Sequence, residues 1–136
     1  ARVEKAPAGG GLAAIVNGYL TREHRDDVAG GCSLPALGAE LIHSTVKTRR
    51  LFAAKLEDAI DLVAAQGARR SPKAAREQAM GVIATMVGSL LLARAAAGDE
   101  ALSADILKAG RKKALAAEKP RAQRSTVRSA RKKVSR

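Results

Sequence analysis

The sequence predicts an all-α fold, a bundle of about five helices. Three observations lead there. Alanine and leucine dominate the composition, and runs of β-branched residues are absent. Apolar residues recur at i, i+3 and i+4 in several separate stretches, and no segment alternates with period two over a useful length. Serine, proline and glycine fall where such helices would start and stop.

The organising element is Pro72 to Ala97. Ala79 to Ala93 carries no charge. Val82, Met86 and Leu90 form one apolar row at i+4 spacing, and Ile83, Val87 and Leu91 form a second beside it. Gly81, Thr85, Ser89 and Ala93 form a third row, of small residues, that lets another helix approach closely. A helix apolar nearly all round must be buried nearly all round. A membrane span is the rival reading, but the 15 uncharged residues fall short of the roughly 20 needed, and Arg76, Glu77 and Arg94 bracket them. We therefore expect a buried helix with no membrane partner. A short chain has few helices to wrap it, and a second copy completes the burial, so a homodimer is expected.

The other elements follow in order. Residues 1–11 end in consecutive glycines and read as a flexible lead-in. Leu12, Ile15, Val16, Tyr19 and Leu20 make an amphipathic helix of about three turns. Thr21 to Ser33 reads as a polar, solvated loop. Its His24, Asp26, Asp27 and Cys32 are metal-ligand types, but their spacing fits no established metal pattern. Cys32 precedes a helix, where a thiol pKa can fall; we read it as a small buried apolar residue.

Ser33 and Pro35 open a short helix with Leu34, Leu37, Leu41 and Ile42 on its apolar face, closed by His43 and Ser44. Thr45 to Gln66 is a longer one, with Val46, Phe52, Leu56, Ala59, Ile60 and Val63 inward and Gly67 at its end. Ala68 to Arg70 is a linker. Ser71 and Pro72 start the central helix, and Gly98-Asp99 stops it. Ser103 is the expected cap of the last helix, with Ile106, Leu107, Gly110, Ala114 and Leu115 inward.

Charge divides the chain. The net charge is +12. Residues 1–110 hold 14 basic and 12 acidic residues, and residues 111–136 hold 11 and one. Residues 118–136 combine high charge with almost no apolar content and read as a disordered tail. Arg121, Arg124, Arg128, Arg131, Lys132 and Lys133 would bind phosphates without sequence preference, although no aromatic residue there can stack on bases. A single cysteine and the absence of a long apolar leader fit a reducing, cytoplasmic setting. No nucleophile stands with a base at motif spacing, no glycine loop has the context to cradle a phosphate, and no buried face pairs carboxylates. We expect neither enzyme activity nor a metal or other cofactor.

Gly31-Cys32-Ser33-Leu34, Leu37-Gly38-Ala39-Glu40-Leu41, Val46-Lys47 and Phe52 are similar to the regulatory domain of TetR-type transcriptional repressors. So are Ala79-Met80-Gly81 through Val87-Gly88, Leu92-Ala93-Arg94-Ala95, Leu102-Ser103 and Ile106-Leu107. The resemblance covers about residues 12–117. It implies an all-helical ligand-binding and dimerisation domain whose last two helices form a four-helix bundle with those of a second copy. On that pattern the dimer residues are Gly81, Thr85, Gly88, Ser89, Leu92, Ile106, Leu107 and Gly110. It also implies a small hydrophobic effector among the middle helices, with Asn17, Tyr19, His43, Phe52, Met80, Ile83 and Met86 as pocket candidates. Each of these also suits ordinary core packing. The family reads DNA through an N-terminal helix-turn-helix. No residues here match it, so DNA binding by that element is not carried over. The alternative reading is a small basic protein that binds nucleic acid through its C-terminal tail.

Overall fold

A computed structural model describes residues 11–30, 40–66 and 71–116. Among these residues the chain forms five helices and no strand. They are α1 (Gly11–Tyr19), α2 (Arg22–Asp26), α3 (Val46–Ala64), α4 (Pro72–Ala95) and α5 (Glu100–Ala116). The fold is an all-α bundle. The lead-in, the body of the short helix after Cys32, the linker before Ser71 and the basic tail lie outside the described residues. At the end of that short helix, Ser44 donates both its N–H and its hydroxyl to the Leu41 carbonyl.

Local chemistry sets the helix starts. The Ser71 hydroxyl accepts the Ala74 N–H at 3.3 Å, and Pro72 occupies the first turn, where its missing N–H costs no hydrogen bond. Thr45 caps α3 by accepting the Thr48 N–H at 3.2 Å.

Helix α4 is the spine. Its Ala79, Val82, Ile83, Met86, Leu90 and Ala93 are buried against α1, α3 and α5. Leu12, Ile15, Val16, Tyr19 and Leu20 close the core from one side, and Ile60 and Val63 from another. Leu20, Leu90 and Leu107 are the largest side chains with almost no exposure. Burying each stabilises the fold by about 1.5–3 kcal/mol. Helix α4 is the described helix long and apolar enough to cross a membrane by length and composition alone. Its burial within the chain is one-sided, since Leu91 and Leu92 remain 49% and 59% exposed.

The structure corrects four sequence expectations. Residues 22–26 of the supposed loop are helical, capped by Thr21, and His24 and Arg25 are buried. Their polar groups satisfy carbonyls and side chains of other helices, so burial carries little cost. Helix α5 starts at Glu100, not after Ser103, because Asp99 provides the cap: its Oδ1 accepts the Leu102 N–H at 3.0 Å. Ser103 lies inside the helix with no exposure and donates its hydroxyl to the Ala93 carbonyl at 2.7 Å. Val46, expected inward, is 55% exposed in the first turn of α3.

Candidate functional site

An apolar groove lies between α3 and α4. Phe52, Leu56 and Ile60 line it from α3 at successive i+4 positions. Met80, Ile83, Ala84 and Val87 line it from α4. The i+4 spacing places each set on one face of its helix. The volume is about 380 Å³, within the usual range of small-molecule sites of about 300–1,000 Å³. No polar side chain is among the lining residues. The groove therefore suits a ligand that is hydrocarbon along its length. A second void, lined by Leu12, Val63, Ala75, Gln78, Ala79 and Val82, has about 10 Å³ and scarcely admits a water.

One end of the groove is held by ion pairs. Arg76, one turn before Met80 on the same row of α4, donates to both carboxylate oxygens of Glu57 at 2.6 and 2.8 Å. It also reaches Asp61 at 3.5 Å. The Glu57 hydrogen bonds hold the Arg76 guanidinium above its already high ordinary pKa. These charge-assisted contacts, both Glu57 bonds from the one nitrogen Nη2, tie α3 to α4 at that end.

The predicted pocket residues separate. Phe52, Met80 and Ile83 meet in the groove. Asn17 and His43 are exposed elsewhere, and Met86 is in the core. Tyr19 is buried on α1, its ring edge-on to His24 with centroids 4.5 Å apart. The groove also takes Leu56, Ile60, Ala84 and Val87, which the sequence argument assigned to the core or left unassigned. Their signal was present as the Phe52–Leu56–Ile60 row facing the Ile83–Val87 row.

The expected dimer residues separate too. Leu107 and Gly110 are buried within the chain's own core, and Ser89 packs against Gly110. Ile106 is half-buried against the same core. Gly81, Gly88 and Leu92 stay on the outer side of α4, where a Cβ added at either glycine meets nothing within 4 Å. Thr85 is half-buried and donates its hydroxyl to the Gly81 carbonyl at 2.9 Å. Leu102 of α5 adds a further 51%-exposed apolar side chain to the surface. The proposed nucleic-acid residues, Arg121 to Lys133, lie outside the described residues.

At the opposite end of the bundle, α2 is tied down by a polar cluster. The Arg25 guanidinium donates to Asp26, to Glu100 at 2.9 Å and to Ser103 at 2.9 Å. Arg94 donates to the carbonyls of His24, Arg25 and Asp27, and Arg111 donates to the Leu20 carbonyl. His24 Nδ1–H donates to the Tyr19 carbonyl at 2.7 Å. The Arg25 hydrogen bonds hold the Asp26 carboxyl below the usual carboxylate range, and Asp26 in turn raises the Arg25 pKa. These groups satisfy one another, and the cluster acts as a structural clasp. Among the described residues, no group of three His, Cys, Asp or Glu is placed to hold a metal.

The described residues form an all-α bundle with an apolar, ligand-sized cleft between α3 and α4. Comparison with family models, curated proteins and solved structures gave no match for the chain.

Proposed function

We propose that this chain is the effector-binding and dimerisation part of a TetR-like transcriptional repressor, acting as a homodimer. The α3–α4 groove carries the reading: an apolar cleft of about 380 Å³ lined by Phe52, Met80 and Ile83 suits a small hydrophobic effector. Helix α4 gives that effector a route outward. It lines the groove on one side and presents Gly81 and Leu92 to solvent on another, with half-buried Gly88 between them. A ligand that prefers one spacing of α3 and α4 favours one placement of the partner against α4. DNA contact in this reading belongs to a separate helix-turn-helix element, not to the bundle.

Thermal denaturation with a panel of lipophilic acyl and aromatic compounds tests the reading. A compound present at one hundred times its dissociation constant stabilises the fold by about 2.7 kcal/mol. Phe52→Ala, which enlarges the groove from a half-exposed position, should weaken the same compounds. A panel without a stabilising compound, or hits indifferent to Phe52→Ala, would remove the sensor reading.

A further inference from the structure

We infer that the groove takes a single-chain anionic amphiphile, a free medium-chain fatty acid carboxylate, with its head at the N-terminal end of α3. The inference rests on the groove being a ligand site and adds the ligand's shape and charge.

Shape comes from the lining. Phe52, Leu56 and Ile60 span eight residues of α3, about 12 Å along the axis. The groove is thus elongated, and its lining side chains are apolar throughout its length. A linear hydrocarbon fills such a cleft, whereas a compact polar ligand would leave its own hydrogen-bonding groups unmet.

Charge comes from the two ends. Residues 46–55 of α3 hold Lys47, Arg49, Arg50 and Lys55 and no acid. Residues 56–64 hold Glu57, Asp58 and Asp61 and no base. The acidic end is already answered, since Arg76 binds Glu57 and Asp61 and Lys55 pairs with Asp58. The basic end is not: among the described residues, Lys47, Arg49 and Arg50 make no ion pair and are exposed. Arg49 stands one turn before Phe52, so it continues the groove-lining face beyond the last apolar side chain. This gradient also runs against the helix dipole, which favours acids at the start and bases at the end. An anion seated beside Arg49 would answer both the free cations and the dipole. A cationic head there would be repelled, and a cation at the far end would compete with Arg76.

The test is calorimetric titration of the full chain with dodecanoate, dodecanol and dodecylamine, each below its aggregation limit. Dodecanoate should bind tighter than dodecanol by a factor of up to about five, the gain expected from a favourable surface charge pair, and dodecylamine weakest. Lys47→Gln, Arg49→Gln and Arg50→Gln together, and Arg49→Gln alone to a lesser degree, should abolish that preference while dodecanol binding stays. These exposed changes keep the C-terminal basic residues, so attraction of the anion to them cancels in the comparison. Circular dichroism of the variants should match the parent. Equal binding of dodecanoate and dodecanol, or a preference that survives the triple change, would overturn the inference and leave the groove reading intact. Binding to anionic phospholipid vesicles but not to monomeric dodecanoate would overturn it also. No binding of any of the three would remove the groove reading itself.

Discussion

Gly110 and Ser89 touch backbone to side chain across the α4–α5 crossing. A Cβ built on Gly110 would lie 2.3 Å from Ser89 Oγ, 2.6 Å from Ser89 Cβ and 3.2 Å from Leu20 Cδ1. The hydroxyl could rotate away, but the Ser89 Cβ is fixed to its helix. Helix α5 would have to move.

Gly110→Ala should therefore destabilise the fold. Overpacking costs about 1–3 kcal/mol, and the better helix propensity of alanine returns about 1 kcal/mol of that. Urea denaturation should show a lower midpoint for Gly110→Ala and partial recovery when Ser89→Gly is added. An unchanged midpoint for the single variant would mean that the crossing is looser than described.

Ser103→Ala should cost about 1–3 kcal/mol, because it leaves the buried Ala93 carbonyl without its donor and removes an acceptor from Arg25. The loss should appear as a lower denaturation midpoint with helical content retained. Ser103→Gly would add a helix-propensity loss, so alanine is the cleaner probe. A variant as stable as the parent would rule out an energetic role for this contact.

Acid should weaken the Arg25–Asp26 pair. Asp26 has a folded pKa below its unfolded value. Its stabilisation is thus fully present above the unfolded value of about 3.9 and is lost as pH falls through the folded pKa. Asp26→Asn should be less stable than the parent near neutrality, and the gap should close as pH falls below about 4. Denaturation midpoints for both proteins across that range provide the check; a gap independent of pH contradicts the pairing.

Gly88→Arg should dissociate the proposed dimer without unfolding the protomer. Nothing lies within 4 Å of a Cβ at Gly88, so a side chain can leave the backbone there without a clash. At a partner interface the same side chain would bury a charge without a counterion. Sedimentation should show a smaller species with helical content retained. Ser89→Arg is a poorer probe, because Ser89 already packs against Gly110 in the same protomer. A Gly88→Arg protein that sediments like the parent would place any dimer interface elsewhere.

The long helices were legible in the sequence because their periodicity and breaks act locally. The i+4 rows of α4 and Ser71 before Pro72 act within a turn or two of chain, and each works in the structure as its residue type implies; Thr45, read as the first residue of α3, is its cap. The apolar groove was half legible. Phe52, Met80 and Ile83 were chosen, but periodicity alone cannot tell a side chain that fills a core from one that lines a gap between two helices. That distinction depends on how closely α3 and α4 pack, which no local signal records.

Tertiary structure decided the rest. The segment TREHRDD is polar, and polarity alone indicates solvent; only the nearness of Glu100 and Ser103 makes Arg25 a buried anchor. Ser103 has the chemistry of a cap, but Asp99 stands one turn earlier and takes that role, leaving the Ser103 hydroxyl to face α4. The small-residue row of α4 told the sequence that another helix approaches, not which one. Its Ser89 and Ala93 receive α5 of the same chain, while Gly81 stays on the outer surface. The sequence determined the long helices and most of their apolar faces, because hydrogen bonding and periodicity act over a few residues. Which face met which neighbour was decided by contacts up to ninety residues apart in the chain, such as Arg111 on the Leu20 carbonyl.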